Sequence, residues 1–280
     1  MGAWDAWIGR SESREDILSP GLLARFNGTL DRPVGDDMAP QGLHWCLCLP
    51  DAPTSSLGPD GHPIRDDRPT SFLPPIPLPR RMWASSAVEF LGPIQAGDII
   101  RRVSTVEKIS EKTGSSGSLV FVDVVHETQA NGRIVVQERQ TIVYRDASTA
   151  PATPRPADCA EPPLSGWDWH RAITPSEPLL FRYSALTFNG HRIHYDLPYA
   201  QDEEGYRSLV VHGPLTASLL LDLAARHLGS NRLTRFAFRG QSPAFAGEPL
   251  YLVGKQDGPT IHFAALGGDG RTVMSAEGAV

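Results

Sequence analysis

The chain has 280 residues, 40% of them hydrophobic, and a formal net charge of −6. That is enough apolar material for one large core or two smaller ones, and an acidic balance with no basic run longer than a pair such as Arg80-Arg81 excludes nucleic acid as the principal partner. No apolar stretch is long enough to span a bilayer and no lipidation or secretory signal is visible, so a cytoplasmic protein without a membrane partner is expected.

Residues 1–31 open polar. Leu18, Leu22, Leu23, Phe26 and Leu30 then recur at helical spacing around Pro20-Gly21, which predicts two short helices with Ser11 or Ser13 as caps. His44 to Leu49 reads as an apolar strand holding Cys46 and Cys48. With Cys159 these are taken as reduced core cysteines, because a C-x-C without a second ligand pair makes a poor metal site; no metal and no cofactor is expected. Asp51 to Pro79 is a loop rich in Pro, Asp and Gly, and loops of that length in a compact domain usually serve a function. It runs into Arg80 and Arg81, two guanidinium forks suited to phosphate or carboxylate, and Trp83, expected in the core.

From Ala87 to Tyr144 the pattern is that of long antiparallel strands, turning at Gly114–Gly117 and at Asn131-Gly132, with His126 and Glu138 expected on exposed faces. Residues 151–163 hold five prolines and read as an extended linker. Trp167 and Trp169 are expected to cover a core edge, and Ser176 is a candidate cap. The end of the chain repeats the middle: F-A-F-R-G-Q-S-P-A-F-A-G-E at 236–248 parallels V-E-F-L-G-P-I-Q-A-G-D at 88–98, and 258–271 parallels 117–133. A duplicated unit follows, divided here as 1–150, a Pro-rich linker 151–175, and 176–280, with Phe90 and Phe238 equivalent. Each unit is a helical segment followed by a strand meander, an α+β arrangement.

The chemistry-bearing residues crowd into residues 189–194. Asn189, His191, Arg192 and His194 stand within six residues, with Gly190 allowing a sharp bend. Histidine moves a proton near neutrality and an amide can hold water; Asn and His also suit an ordinary turn. Downstream, His212-Gly213-Pro214 opens a second apolar helical pattern, and the Gly213 N–H at a helix start can face a developing oxyanion.

The run T-F-N-G-H-R-I-H from Thr187 to His194, with V-V-H-G-P-L-T-A-S from Val210 to Ser218, resembles the S-G-D-x-N-P-[IL]-H and I-x-H-G-M-L-x-A-S motifs of the type 2 enoyl-thioester hydratases and dehydratases, the MaoC-like family. Within it the variant is most similar to mesaconyl-CoA and itaconyl-CoA hydratases and to mitochondrial-type 3-hydroxyacyl-thioester dehydratases. The resemblance implies a double hotdog fold whose second unit alone carries the catalytic motif. It implies a hydro-lyase acting on an acyl-CoA thioester partner, a short unsaturated dicarboxylic one such as itaconyl-CoA or mesaconyl-CoA. The alternatives are a 3-hydroxyacyl-thioester dehydratase of fatty-acid synthesis and a non-catalytic acyl-thioester-binding subunit; a homodimer is left open. His194 matches the catalytic histidine, Asn189 stands where the family has an aspartate, and Gly213 takes the oxyanion role. Asn cannot ionise near neutral pH, so His194 must carry most of the proton transfer, with Asn189 positioning water. His191, His212 and Tyr195 are expected to contact substrate, as are Arg192, Arg80 and Arg81, unless Arg192 pairs with Asp196 or Asp222.

Overall fold

The computed structural model describes residues 2–33, 35, 37–66, 68, 71–114, 117–146, 162 and 164–280. The expected linker 151–163, Cys159 and the tip of the 114–117 turn fall wholly or largely outside these residues. Among them ten strands form one antiparallel sheet in the order β1 (Ser11–Ile17), β3 (Ile99–Gly114), β4 (Gly117–Ala130), β5 (Arg133–Arg145), β2 (Arg80–Phe90), β7 (Arg235–Gly240), β10 (Thr272–Ala279), β9 (Thr260–Gly267), β8 (Leu250–Asp257), β6 (Trp169–Ile173). From the two edges inward this is 1-3-4-5-2 and 6-8-9-10-7, so a pseudo-twofold axis exchanges the two halves of the sheet.

The axis runs through the Val88–Phe236 pair of β2 and β7. Rotation about it takes Phe90 to Phe238: Phe90 N–H donates to Thr234 O at 2.9 Å, while Phe238 lies opposite Ser86. The repeated Gly-acid corner is also reproduced. Bridges Met38–Gln95 and Val210–Phe245 precede Gly97 at φ 95° and Gly247 at φ 76°, a backbone that favours glycine.

The duplication reaches further than the sequence pattern suggested. Ser19 caps α1 (Pro20–Thr29) and Ser176 caps α2 (Glu177–Leu186), the hydroxyls accepting from Leu22 N–H at 3.1 Å and Leu179 N–H at 3.4 Å; proline in the first turn of each presets the helical φ. Ser11 and Ser13 therefore cap nothing. They lie in β1, which pairs with β3, and one helix stands where two were expected. β6 likewise falls within the stretch assigned to the linker and pairs with β8.

The halves differ at their centre. α3 (Gly213–Leu228) is mostly apolar and buried at every position from Leu215 to Ala224, as a helix wrapped by a sheet must be. After the corresponding bridge in the first half the chain makes a 3₁₀ turn, Leu43–Cys46, in place of a long helix. That turn replaces the strand expected over His44–Leu49. A short, wholly apolar run cannot distinguish a strand from a buried helical turn, and Gly42 at φ 97° with Cys48 at φ 53° close it at both ends. Cys46 and Cys48 are free and buried.

Two further expectations are corrected. Glu138 is 6% exposed rather than on a solvent face. It accepts from Trp45 Nε1 at 3.1 Å and from Ser86 Oγ at 2.5 Å, with His44 Nε2 at 3.7 Å. Strand alternation explains this: Val136, buried two residues earlier, shares the face of Glu138. His126 is partly buried too, bonded to Ser104 Oγ at 2.8 Å and Gln140 Oε1 at 3.2 Å. Trp83 is half-buried, donating to Ser86 Oγ at 2.9 Å. The Asn131-Gly132 turn forms as expected, both residues at positive φ.

Candidate active site

The 187–194 motif begins where α2 stops. Thr187 Oγ1 donates to Tyr183 O at 2.8 Å and Asn189 N–H to Ser184 O at 2.9 Å, with Phe188 at φ 47° reversing the chain. Asn189 Oδ1 then accepts the His191 N–H at 3.0 Å, a side-chain turn. Its acceptor is thus committed to the backbone, and the amide shapes the corner that delivers His191 and His194. The 3₁₀ turn Arg192–His194 follows.

His194 is 7% exposed, and its Nδ1 lies 2.7 Å from Val210 O. A carbonyl only accepts, so the hydrogen is on Nδ1 and Nε2 keeps its lone pair. Val210 N–H in turn donates to Ile193 O at 2.9 Å, locking the motif to the segment that leads into α3. Burial pushes the His194 pKa down to about 4, so the ring is neutral at neutral pH. The His212 ring stacks on it, centroids 3.6 Å apart at 18°, and Ser184 Oγ lies 2.8 Å from His212 Nε2. Burial, then the neighbouring His194 and His191, hold His212 well below the usual value; two stacked cations would repel strongly.

His191 meets the edge of His194 at 5.5 Å between centroids and lies 4.2 Å from the ring of His62. Burial lowers it most, then the charges that His62 and His194 would carry. His62 comes from the 51–79 loop of the other half, and it was not singled out in the sequence. Its Nδ1 lies 3.0 Å from Asp60 Oδ2. The signal that could have found it is the D-G-H triplet inside a loop too long to be a mere connection.

The three arginines separate cleanly. Arg192 turns away: it bonds Asp196 Oδ2 at 2.7 and 2.9 Å and Pro59 O at 2.9 Å, and lies over the Tyr199 ring. Asp222 is not its partner, being held instead by Arg32, Arg171 and Arg226, each at 2.6 Å. Arg80 pairs with Glu204 and donates to Glu203 O at 2.8 Å. Arg81 lines the cavity with no carboxylate partner among the described residues, and its charge lowers the pKa of both His62 and His191. Tyr195 is half-exposed and donates to Gly190 O at 3.0 Å.

The four histidines, Asn189, Tyr195, Arg80 and Arg81 wall a cavity of about 1590 Å³ that also reaches Glu138, larger than the roughly 300–1,000 Å³ of typical ligand pockets. Gly213 opens α3 at its edge. The first N–H groups of a helix lack intrahelical acceptors, and a 16-residue helix adds its dipole. A neutral imidazole base and a helix N-terminus on one cavity can move a proton while holding negative charge on oxygen. Asp60, His62 and His191 also place ligand atoms within 4.8 Å of one another. The facing Asp60 oxygen is engaged by His62, however, and Arg81 bears on both histidines, which disfavours a dication there.

The sequence model of the hydroxyacyl-thioester dehydratase type 2 family matches residues 42–246. A mesaconyl-C(4)-CoA hydratase of Chloroflexus aurantiacus is 44% identical over 281 residues, covering 98% of this chain and 96% of that protein. Among solved structures, a MaoC-like dehydratase from Phytophthora capsici superposes with a TM-score of 0.70 at 16% identity, covering 100% of this chain and 97% of the other. A Mycobacterium tuberculosis protein described as having a double hotdog fold superposes at 0.60 and 14% identity, covering 97% and 95%.

Proposed function

The chain belongs to the hydroxyacyl-thioester dehydratase type 2 family, with a MaoC-like double hotdog fold, and from that premise we propose that it is a hydro-lyase adding water reversibly to the C=C bond of a short unsaturated dicarboxylic acyl-CoA, mesaconyl-CoA before itaconyl-CoA. The observation that carries the reading is the His194 ring, whose Nδ1 is fixed on Val210 O and whose free Nε2 shares a cavity with the N-terminus of α3.

In this mechanism the thioester oxygen accepts from Gly213 N–H. His194 Nε2 takes a proton from water as its oxygen bonds to the β-carbon, and the π electrons move onto the thioester oxygen as an enolate. The enolate collapses as the proton released from His194 bonds to the α-carbon, and the ring is neutral again. The helix N-terminus stabilises charge that exists only along the reaction path, an effect worth about 3–4 kcal/mol where single donors have been removed. Positioned proton transfer adds roughly 10²–10⁴-fold. The low pKa of His194 keeps it unprotonated, and so ready as a base, at neutral pH.

Arg81 takes the second carboxylate of the substrate, since Arg80 and Arg192 already have acids. Asn189 serves by holding the turn. The test is a panel of mesaconyl-, itaconyl- and crotonyl-CoA followed by loss of the enoyl-thioester absorbance, with thiol release measured in parallel. Efficient loss on mesaconyl-CoA without thiol supports the assignment. Arg81→Met should raise KM for the diacid about ten- to a hundredfold, the value of a charge-assisted contact, and leave crotonyl-CoA unchanged. Equal efficiency of the wild type on crotonyl- and mesaconyl-CoA would remove the role given to Arg81.

A further inference from the structure

We propose that Asp60 and His62, carried by the first half of the chain, form a second acid–base dyad of this active site, working across the cavity from His194. The proposal rests on the hydratase reading above and assigns a proton donor to its second step.

The dyad is built rather than incidental. Both oxygens of Asp60 are engaged: Oδ1 accepts the His62 N–H at 3.0 Å and Oδ2 faces His62 Nδ1 at 3.0 Å. The turn is closed by Gly58 N–H to His62 O at 2.7 Å, Gly61 N–H to Gly58 O at 2.9 Å and the Leu57–Pro63 bridge. It is docked on the motif itself, Arg192 N–H donating to Asp60 O at 3.0 Å and the Arg192 guanidinium to Pro59 O at 2.9 Å. Gly61 and Gly190 meet backbone to backbone: a Cβ on Gly190 would lie 2.8 Å from Gly61 O, and one on Gly61 would overlap Gly190 O. The first half thus fixes His62 against the catalytic turn to within a side chain's width.

Four of the nine histidines of the chain form one file, His62–His191–His194–His212, with ring centroids 4.2, 5.5 and 3.6 Å apart. They are not alike. Among the described residues His194 and His212 have no carboxylate partner, whereas the Asp60 carboxylate fixes the hydrogen on His62 Nδ1. Burial, the largest effect, still holds His62 below its free pKa and Asp60 offsets part of it, so His62 is neutral at rest and is the ring of the file best placed to carry a proton transiently. A ring that takes a proton from water and a ring that, beside a carboxylate, carries it to the α-carbon are the two partners that addition of water needs. Asn189 cannot supply the second.

The steps balance. His194 Nε2 takes a proton from water while the water oxygen bonds to the β-carbon and the π pair moves to the thioester oxygen. That proton passes by way of His191, whose ring stands between them, to His62 Nε2, and the enolate pair then forms the C–H bond at the α-carbon with it. All the rings are then neutral, as at the start, and the net reaction consumes one water. His62 is the catalytic residue of the pair and Asp60 its positioning residue.

The experiment uses the full chain and mesaconyl-CoA. His62→Gln should lower kcat by about 10²-fold or more, the scale of a positioned general acid, with KM within about threefold of wild type. Asp60→Asn keeps an acceptor for the turn but removes the charge; it should lower kcat about tenfold at unchanged KM and unchanged thermal midpoint. His62→Gln that keeps most of the wild-type kcat overturns the proposal. Should that variant fail to fold, Asp60→Asn decides alone, and wild-type kcat in it overturns the dyad. Loss of wild-type activity on dialysis against a chelator, restored by Zn²⁺ alone, also overturns it in favour of a metal at the same three residues. A wild-type enzyme that does not hydrate mesaconyl-CoA refutes the hydratase reading instead, so the two failures are distinguishable.

Discussion

Gly61→Ala puts the docking of the 58–62 turn on the catalytic corner to a quantitative test. Gly61 sits at φ 85° and an added Cβ would overlap Gly190 O. The left-handed backbone alone costs an L-residue roughly 1–2 kcal/mol. The overlap cannot be relieved by a side chain, because the atom met is a backbone carbonyl, so the turn must lift off. That forfeits the 3.0 Å bond from Arg192 N–H to Asp60 O, about 0.5–1.5 kcal/mol. The sum is roughly 1.5–3.5 kcal/mol, which for a chain of this size lowers the melting midpoint by about 3–6 °C. Gly132→Ala is the control: its φ is 80°, but nothing lies within 4 Å of the new Cβ, so it bears only the backbone part. Thermal melting and kcat on mesaconyl-CoA are measured for both. Gly61→Ala should be the less stable and lose at least tenfold in kcat, since His62 and the corner bearing His191 move apart, while Gly132→Ala keeps wild-type kcat. Matching midpoints and rates in the two variants would refute the docking argument.

Asn189→Asp keeps an acceptor for the His191 N–H and should retain measurable turnover, whereas Asn189→Ala should cost about 0.5–1.5 kcal/mol by urea unfolding; Ala unfolding at the wild-type midpoint would show that the turn bond contributes nothing. Glu138→Ala leaves Trp45 Nε1 and the Ser86 hydroxyl hydrogen without their acceptor, each about 1–3 kcal/mol when a buried donor is unpaired, and should lower the urea midpoint more than any exposed Glu→Ala change. The pKa of His194 is pushed below the free value of 6.5, to about 4, so the unfolded chain binds the extra proton first. This contribution to stability is complete above pH 6.5 and is lost as pH falls toward 4, up to about 1.36 kcal/mol per unit; pH-dependent melting in His194→Gln should show a shallower loss over that window than wild type.

The strand meander, the Asn131-Gly132 hairpin and the duplicated Gly-acid corner were legible because period-two patterning and turn chemistry are local. The motif at 187–194 and the helix start at Gly213 were legible by resemblance. What escaped depends on contacts far apart in the chain. Glu138 is polar in a strand and looks solvent-facing until Trp45 and Ser86, from other elements, converge on it. Asp60 and His62 sit in a loop with no periodicity, and only the docking at Gly190 brings them to the site. The fate of each arginine was likewise undetermined, because Glu204 and Asp196 compete for them only once the chain is folded. The α1 cap was missed for a different reason: S-P-G-L-L was visible but was read through Ser11 and Ser13 instead of Ser19, whereas Ser176 caps α2 as expected.

The central claim is that a neutral His194, fixed through Nδ1 on Val210 O, is the base that activates water. It is tested most directly by the kcat of His194→Gln on mesaconyl-CoA, with the circular dichroism spectrum and melting midpoint confirming the fold. The account predicts a folded protein whose kcat is lower by at least about 10² and which still binds the thioester. A folded His194→Gln enzyme turning over mesaconyl-CoA within a few-fold of wild type would contradict it.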